Sequence, residues 1–298
     1  LAVSVVSLLL ATVWGGIDYP WGSWQIIGLF ATSAIAAGLF VWREKFAKEP
    51  IIPLELFKNA VFRTTIVLAF LLGIVMFGAL VFLPEYQQII RGDSATKSGL
   101  MLLPLVAGMM VSSITSGRLI SKIGRYRPFP IIGTALMSFS FWLFSHIAVD
   151  TSRFWLGVWM AILGLGLGMV MPVLTLAVQN AVDRKHLGAA TSSVTFFRSI
   201  GASLGAAIFG AILGNRLAHH LLETLPQQGA QIAQGLQRNT HGLQNLDPSV
   251  AQQVLTAFAQ AFHDVFLFAL PFAVVAFVIA LFLRDVPLGN GQPAAPPE

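Results

Sequence analysis

Apolar residues in this chain run in long unbroken stretches; they neither alternate nor return at a helical period. Seven of these stretches carry almost no charge: Trp24–Trp42, Thr64–Leu83, Gly99–Ser116, Phe129–Ala148, Phe154–Val178, Thr191–Gly214 and Val265–Leu283. An eighth, Leu1–Val13, opens the chain. A helix needs about 20 predominantly apolar residues to cross the ~30 Å hydrocarbon core of a bilayer. Each complete stretch reaches or approaches that length, which predicts an all-α, polytopic membrane protein of about eight transmembrane helices.

Composition narrows the function classes. Hydrophobic residues make up 56% of the chain and charged residues 10%, against roughly a quarter charged in soluble domains. The formal charge of +5 raises nucleic acid as a partner. The cations lie in short loops, however, and form no basic stripe interleaved with aromatics, so nucleic acid is excluded. With no cysteine, disulfides, thiolate metal sites and cysteine nucleophiles are excluded too. Leu1 lies inside an apolar run with no basic region before it, so the expectation is a fragment that begins within a transmembrane helix.

Charge alternates between successive loops. One set holds Arg43, Lys45, Lys48, Lys58, Arg63, Arg118, Lys122, Arg125, Arg127, Arg184, Lys185 and Arg284; the other holds only Arg91, Lys97, Arg153, Arg216 and Arg238. The positive-inside rule places the richer set, and with it the C-terminus, on the cytoplasmic side of the cell's inner membrane. Trp14, Trp21 and Trp24 then mark the outer interface. The segment 215–262 is expected as an external, Gln-rich loop holding His219, His220 and His241, with His263 just beyond. Its histidines are irregularly spaced, and no metal site is assigned to them. Asp247–Pro248 reads as a helix start that leads into the last span.

The most specific motif is Gly117-Arg118-Leu-Ile-Ser-Lys122-Ile-Gly124-Arg125-Tyr-Arg127, expected as a short turn between two glycines with cations that meet anionic lipid or helix C-termini. Arg198 is the only charge well inside a span, about 10 Å from the cytoplasmic end at 1.5 Å per residue. An intramembrane arginine is expected to serve gating or inter-helix pairing, with snorkelling to the interface and direct substrate contact as alternatives. No Asp or Glu lies deep in a span; Glu85, after Pro84 at an external helix end, and Asp264 come nearest. Gly164-Leu-Gly-Leu-Gly168 imitates part of a dinucleotide fingerprint, but no strand precedes it, so close helix packing is the better reading. Pro104, Pro172 and Pro271 are expected to kink their spans. No convergent polar cluster suits an enzyme.

The 117–127 segment resembles the loop signature of the major facilitator superfamily, G-x-L-x-D-[RK]-x-G-[RK]-[RK]. Gly117, Leu119, Lys122, Gly124 and Arg125 match; Ser121 stands at the acidic position, and Tyr126 displaces the last cation to Arg127. The segments Pro53–Asn59, Leu83–Gln88, Gly92–Gly99 and Thr195–Gly201, and the WGG-x-DYPWGS segment before the second span, resemble the fourteen-span drug:proton antiporter branch of that superfamily. The resemblance implies spans seven to fourteen: two linker helices and a loop over 1–62, a six-helix transporter half built as a 3+3 repeat over 63–284, and a disordered cytoplasmic tail over 285–298.

It further implies proton-coupled efflux of amphipathic compounds by alternating access, driven by the proton gradient without a cofactor. The N-terminal half of the same protein would be the partner, and the coupling carboxylate would lie there. Cavity-lining residues are expected among Met76, Phe77, Met109, Met171, Phe196 and Phe197, because methionine and aromatic surfaces adapt to varied apolar molecules. A same-fold exporter of one metabolite and a non-transporting membrane remnant are the alternatives.

Overall fold

The computed structural model describes residues 1–15, 19–46, 53–225, 229 and 247–286. Among them the chain is helical with no β-strand: α1 (Ala2–Trp14), α2 (Trp24–Glu44), α3 (Ala60–Arg91), the short α4 (Ala95–Leu100), α5 (Leu103–Ile123), α6 (Pro128–Phe144), α7 (Arg153–Ala181), α8 (Leu187–Thr224) and α9 (Pro248–Leu281). Six helices are long and apolar enough to cross a membrane, Ala95–Ile123 counting as one; α1 and α6 are apolar but shorter. All eight expected spans are therefore helices in the fold. Exposed aromatics ring both ends: Trp24, Trp142 and Trp155 at one, Trp42, Phe46 and Phe282 at the other, as aromatic girdles do at bilayer interfaces.

Several boundaries differ from the sequence expectation. The segment expected as an external loop over 215–262 is helical at both ends, because α8 runs on to Thr224 and α9 begins at Pro248. His219 and His220 therefore project from a helix; His241 and residues 287–298 of the expected tail lie outside the described residues. Gly117 is inside α5, and only Gly124 forms the turn, as a left-handed C-cap at φ 72°. A residue with a Cβ is strained in that conformation. Pro104 sits in the first turn of α5, where its missing N–H costs nothing, so it ends no hydrogen-bond ladder. Pro84 is within α3, which continues to Arg91 before the left-handed Gly92 caps it, so Glu85 is not at a helix end.

Helices α3 and α5–α9 pack as a bundle around α3. Helix α3 lies against α8 and α9, α7 against α5 and α6, and α9 bridges α3, α6 and α8. Glycines set the closest approaches. A Cβ at Gly73 would strike the Arg198 carbonyl, one at Gly201 the Phe70 carbonyl, and one at Gly205 the Ile74 carbonyl. The α5–α7 crossing repeats the device with Gly108, Gly164 and Gly168. Gly166, between the last two, faces the other way onto Gly133 of α6. The Gly164–Gly168 run is thus a two-sided packing surface, the use small residues have where lipid supplies no hydrophobic drive for helix association.

Toward the end where α3 and α6 finish, the core is aromatic. Tyr86 meets Phe262 edge-on at 5.6 Å between centroids, and Phe144 lies 5.3 Å from Phe266. Helices α1 and α2 form a separate hairpin, held by Ser4 and Ser33, each hydroxyl donating to the other's carbonyl at 2.9 and 2.8 Å. Helix α1 leans on α8, while the membrane-length window of α2 is only 11% buried, against 67% for α3.

Candidate functional site

The bundle presents two grooves that hold part of the residue set expected to line a cavity. Between α5 and α7 a groove of about 270 Å³ is lined by Met109, Met110, Ser113, Gly168, Met171 and Pro172. It exists because Gly168 brings the helix backbones together beside Met109, while Met109, Met110 and Met171 offer flexible apolar side chains at its wall. A second groove, of about 360 Å³ and almost wholly apolar, lies between α1, α3 and α8. Phe77 and the small residues Ser203, Ala206 and Gly210 line it. Met109 and Met171 are therefore brought together, and Phe77 is in a different groove. Met76 and Phe197 pack against the core, and Phe196 meets Phe197 edge-on at 5.5 Å. The six do not converge on one site within the described residues.

Helix α8 carries the polar side of this region. Thr195, Ser199 and Ser203 repeat every four residues, and each hydroxyl donates to the carbonyl one turn earlier at 3.0–3.4 Å. Such back-bonding satisfies the hydroxyls within their own helix. Gln179 of α7 donates to the Thr191 hydroxyl at 3.2 Å, tying the ends of α7 and α8. Arg198 is half-buried on this helix. Its side chain makes no ion pair or hydrogen bond among the described residues, so no pairing partner for it is present there.

The 117–127 segment is at the basic end, and its role rests on a residue that breaks the motif. Arg118, Lys122 and Arg125 are exposed. Tyr126 is fully buried in a small cluster with Val61, Ile120, Phe129 and Leu283. Its hydroxyl donates to the Arg284 carbonyl at 3.0 Å and accepts from the Val286 amide at 3.2 Å. Burial raises the phenol above its ordinary range, so it stays a donor. Arg127 donates to the Leu281 carbonyl at 2.9 Å, and Asn180 to that of Val286 at 3.0 Å. The last carbonyl of α9, that of Leu281, and those of Arg284 and Val286 just beyond it are thus satisfied by side chains from elsewhere in the bundle, a need every helix C-terminus has. Asn59 does the same for Ala181 at the end of α7, at 2.7 Å, while capping α3 through its Oδ1. A tyrosine among cations reads as an interruption in sequence; a large apolar residue beside a helix turn is the signal that marks it as an anchor.

At the opposite end, Asp93 follows the Gly92 cap and is buried. Its Oδ1 lies 2.7 Å from Lys97 Nζ and 2.8 Å from Arg153 Nη2, joining the ends of α3, α4 and α7. The Lys97 hydrogen bond, helped by the Arg153 charge, holds this carboxyl below its ordinary range. Tyr86 donates to the Ala148 carbonyl at 2.6 Å beside it.

The bundle has glycine-lined crossings and no cluster of metal-binding side chains among the described residues. The profile described as Major Facilitator Superfamily matches residues 1–206, from α1 into α8. The chain belongs to the Major Facilitator Superfamily. Among relatives in this superfamily, it is 42% identical to an uncharacterized MFS-type transporter of Mycobacterium tuberculosis over 97% of this chain and 42% of that protein. It is 41% identical to the multidrug transporter protein MdtP of Bacillus subtilis, over 97% of this chain and 58% of MdtP. Multidrug resistance protein 3 of the same organism is 33% identical over 95% of this chain and 57% of its own length. The chain therefore spans about half the length of these relatives. A crystal structure of a bacterial homolog of the human lysosomal transporter Spinster superposes with a TM-score of 0.54 over 95% of this chain and 65% of that one, at 16% identity. That likeness speaks to the fold alone.

Proposed function

We propose that this chain supplies one half of a multidrug efflux transporter, a six-helix unit with two linker helices, that works by alternating access with a second half of the same protein. The observation that carries the reading is the 41% identity to MdtP across 97% of the chain. The methionine groove between α5 and α7 fits the same reading. An amphipathic substrate needs an apolar wall that reshapes itself, and unbranched thioether side chains provide one. In this reading α3, α5 and α6 form one three-helix unit and α7, α8 and α9 an inverted second. Exchanging the units carries the α3–α8 crossing onto α7–α5, and the α3–α9 contact onto α7–α6.

The basic end faces the cytoplasm, and Arg198, which has no side-chain partner among the described residues, meets the other half or the substrate during the cycle. Proton flow down its gradient supplies the energy and no cofactor takes part. The membrane is the cell's inner membrane, and the work is transport without chemical change of substrate.

The test is ethidium efflux from cells that carry the full-length protein, with and without a proton uncoupler. The expected result is uncoupler-sensitive efflux that falls at least tenfold in Arg198→Ala and is partly kept in Arg198→Lys. Full-length protein that leaves ethidium accumulation and toxin susceptibility unchanged sinks the multidrug reading; efflux that ignores the uncoupler sinks the proton coupling.

A further inference from the structure

Away from the grooves, the end of α8 is clasped to the middle of α9 by ionisable side chains. His220 of α8 presents Nε2 to Asp264 Oδ2 of α9 at 2.9 Å, and presents Nδ1 to Glu223 Oε2 at 3.6 Å. The His220 and Asp264 side chains are each only 17% exposed. Arg216, one turn earlier, lies 3.7 Å from the same Asp264 oxygen and over the Phe268 ring at 5.4 Å. Beside this contact is an open groove of about 650 Å³ lined by Asp150, His220, Thr256, Gln260, His263 and Asp264, through which water reaches the His220 ring.

A neutral imidazole has one N–H and can serve one of two flanking acceptors; an imidazolium donates from both nitrogens. Asp264 is within hydrogen-bond reach of Nε2, while Glu223, at 3.6 Å, is near enough only for charge attraction; an imidazolium is held by both carboxylates, a neutral ring by the Asp264 hydrogen bond alone. Histidine is the side chain whose charge ordinarily changes between about pH 5 and 8. We propose that His220 is a proton-binding site whose bound proton clasps α8 to α9, and whose loss loosens that contact.

The proton comes from water at that end of the bundle and returns to it. The clasp forms as pH falls and weakens as pH rises. Arg216 keeps its charge throughout, so deprotonation loosens the contact without abolishing it. Among the described residues, the other charged or titratable groups around it are His219 and Glu223 on α8, His263 on α9 and Asp150 in the α6–α7 connection, while α3, packed on both helices, carries Glu85 and Arg91 at this end. His219 engages Glu223 at 3.4 Å but reaches no group on α9 among the described residues, so it cannot substitute for His220.

The inference stands apart from the transport reading, because its test uses neither substrate nor gradient. The chain has no native cysteine, so Leu222→Cys on α8 and Gln253→Cys on α9, both exposed, take spin labels cleanly. Electron–electron distance measurements on the full chain in lipid nanodiscs are expected to show one step in the α8–α9 separation between about pH 5 and 8. The step should be lost in His220→Gln and kept in His219→Gln and His263→Gln. A step that survives in His220→Gln, a step lost only in His263→Gln, or a separation constant with pH overturns the proposal. Where His220→Gln does not reconstitute, Asp264→Asn replaces it; loss of the step again supports the clasp, and its persistence overturns it.

Discussion

The two ends of the bundle are closed by different chemistry. At the basic end, Tyr126, Arg127, Asn180 and Asn59 reach across helices to backbone carbonyls. The bonds run to fixed dipoles whose strength does not depend on pH in the physiological range. The ion pair there, Arg125 with Asp285, is 4.0 Å long and exposed on its cationic side. At the far end the ties run between ionisable side chains: Asp93 with Lys97 and Arg153, and Asp264 with Arg216 and the His220 ring. One end is a permanent latch and the other a titratable one. A contact can answer to pH only through groups that change charge.

The comparison breaks most sharply at Tyr126. Tyr126→Ala removes a fully buried aromatic and the hydroxyl that engages Arg284 and Val286, an expected loss of about 3–5 kcal/mol. Thermal unfolding in detergent or nanodiscs measures it. Tyr126→Phe keeps the ring and should cost only about 1 kcal/mol. Equal losses from the two would mean that the hydroxyl, not the burial, holds the latch.

Asp93→Asn is the corresponding cut at the far end. It removes the charge between two cations that are themselves 49% and 42% exposed, so solvent screening reduces the expected cost to about 1–2 kcal/mol. The sign of its pH dependence follows from the lowered Asp93 carboxyl. A depressed folded pKa contributes stability that is fully present above the unfolded value, near 3.9, and is lost as pH falls through the lower folded value. Hydrogen exchange on acidification below about pH 4 should therefore rise first around residues 91–97 and 153 and leave the Tyr126 region protected. Simultaneous loss of protection at both ends would erase the distinction.

The smallest effect belongs to Arg125→Ala. Its guanidinium is 73% exposed and 4.0 Å from Asp285, and surface pairs contribute about 0–1 kcal/mol. A change in stability beyond that range would mean that the basic end also relies on charge.

Legibility in the sequence followed chemistry that is local to a segment. The apolar stretches became helices because backbone groups in hydrocarbon must bond within their own segment. Asp247–Pro248 opened a helix because the residue pair supplies what a first turn lacks. Helix ends inside polar stretches were harder. Residues 215–224 look like loop by polarity, yet α8 carries them as helix; nothing in a segment with Asn, Arg and paired His states whether a helix stops at the bilayer or runs past it. The motif residues Arg118, Lys122 and Arg125 were visible as cations but proved exposed, while Tyr126 and Asp93, which hold the ends together, were visible only as neighbours of glycine. Their value lies in partners 158 and 60 residues away, and no local pattern encodes such distances.

The sequence by itself determined the medium this protein lives in and where its apolar helices run, since both depend on the length and charge of continuous stretches. It also held the family resemblance. Only the tertiary structure decided which apolar helices are core and which face outward. Helices α2 and α3 are both hydrophobic enough to span, but the spacing of Gly73 against Gly201 and Gly205 lets α3 sink into the bundle while α2 stays on its rim. Hydropathy selects a medium; close contact between backbones selects a neighbour, and that depends on two segments at once.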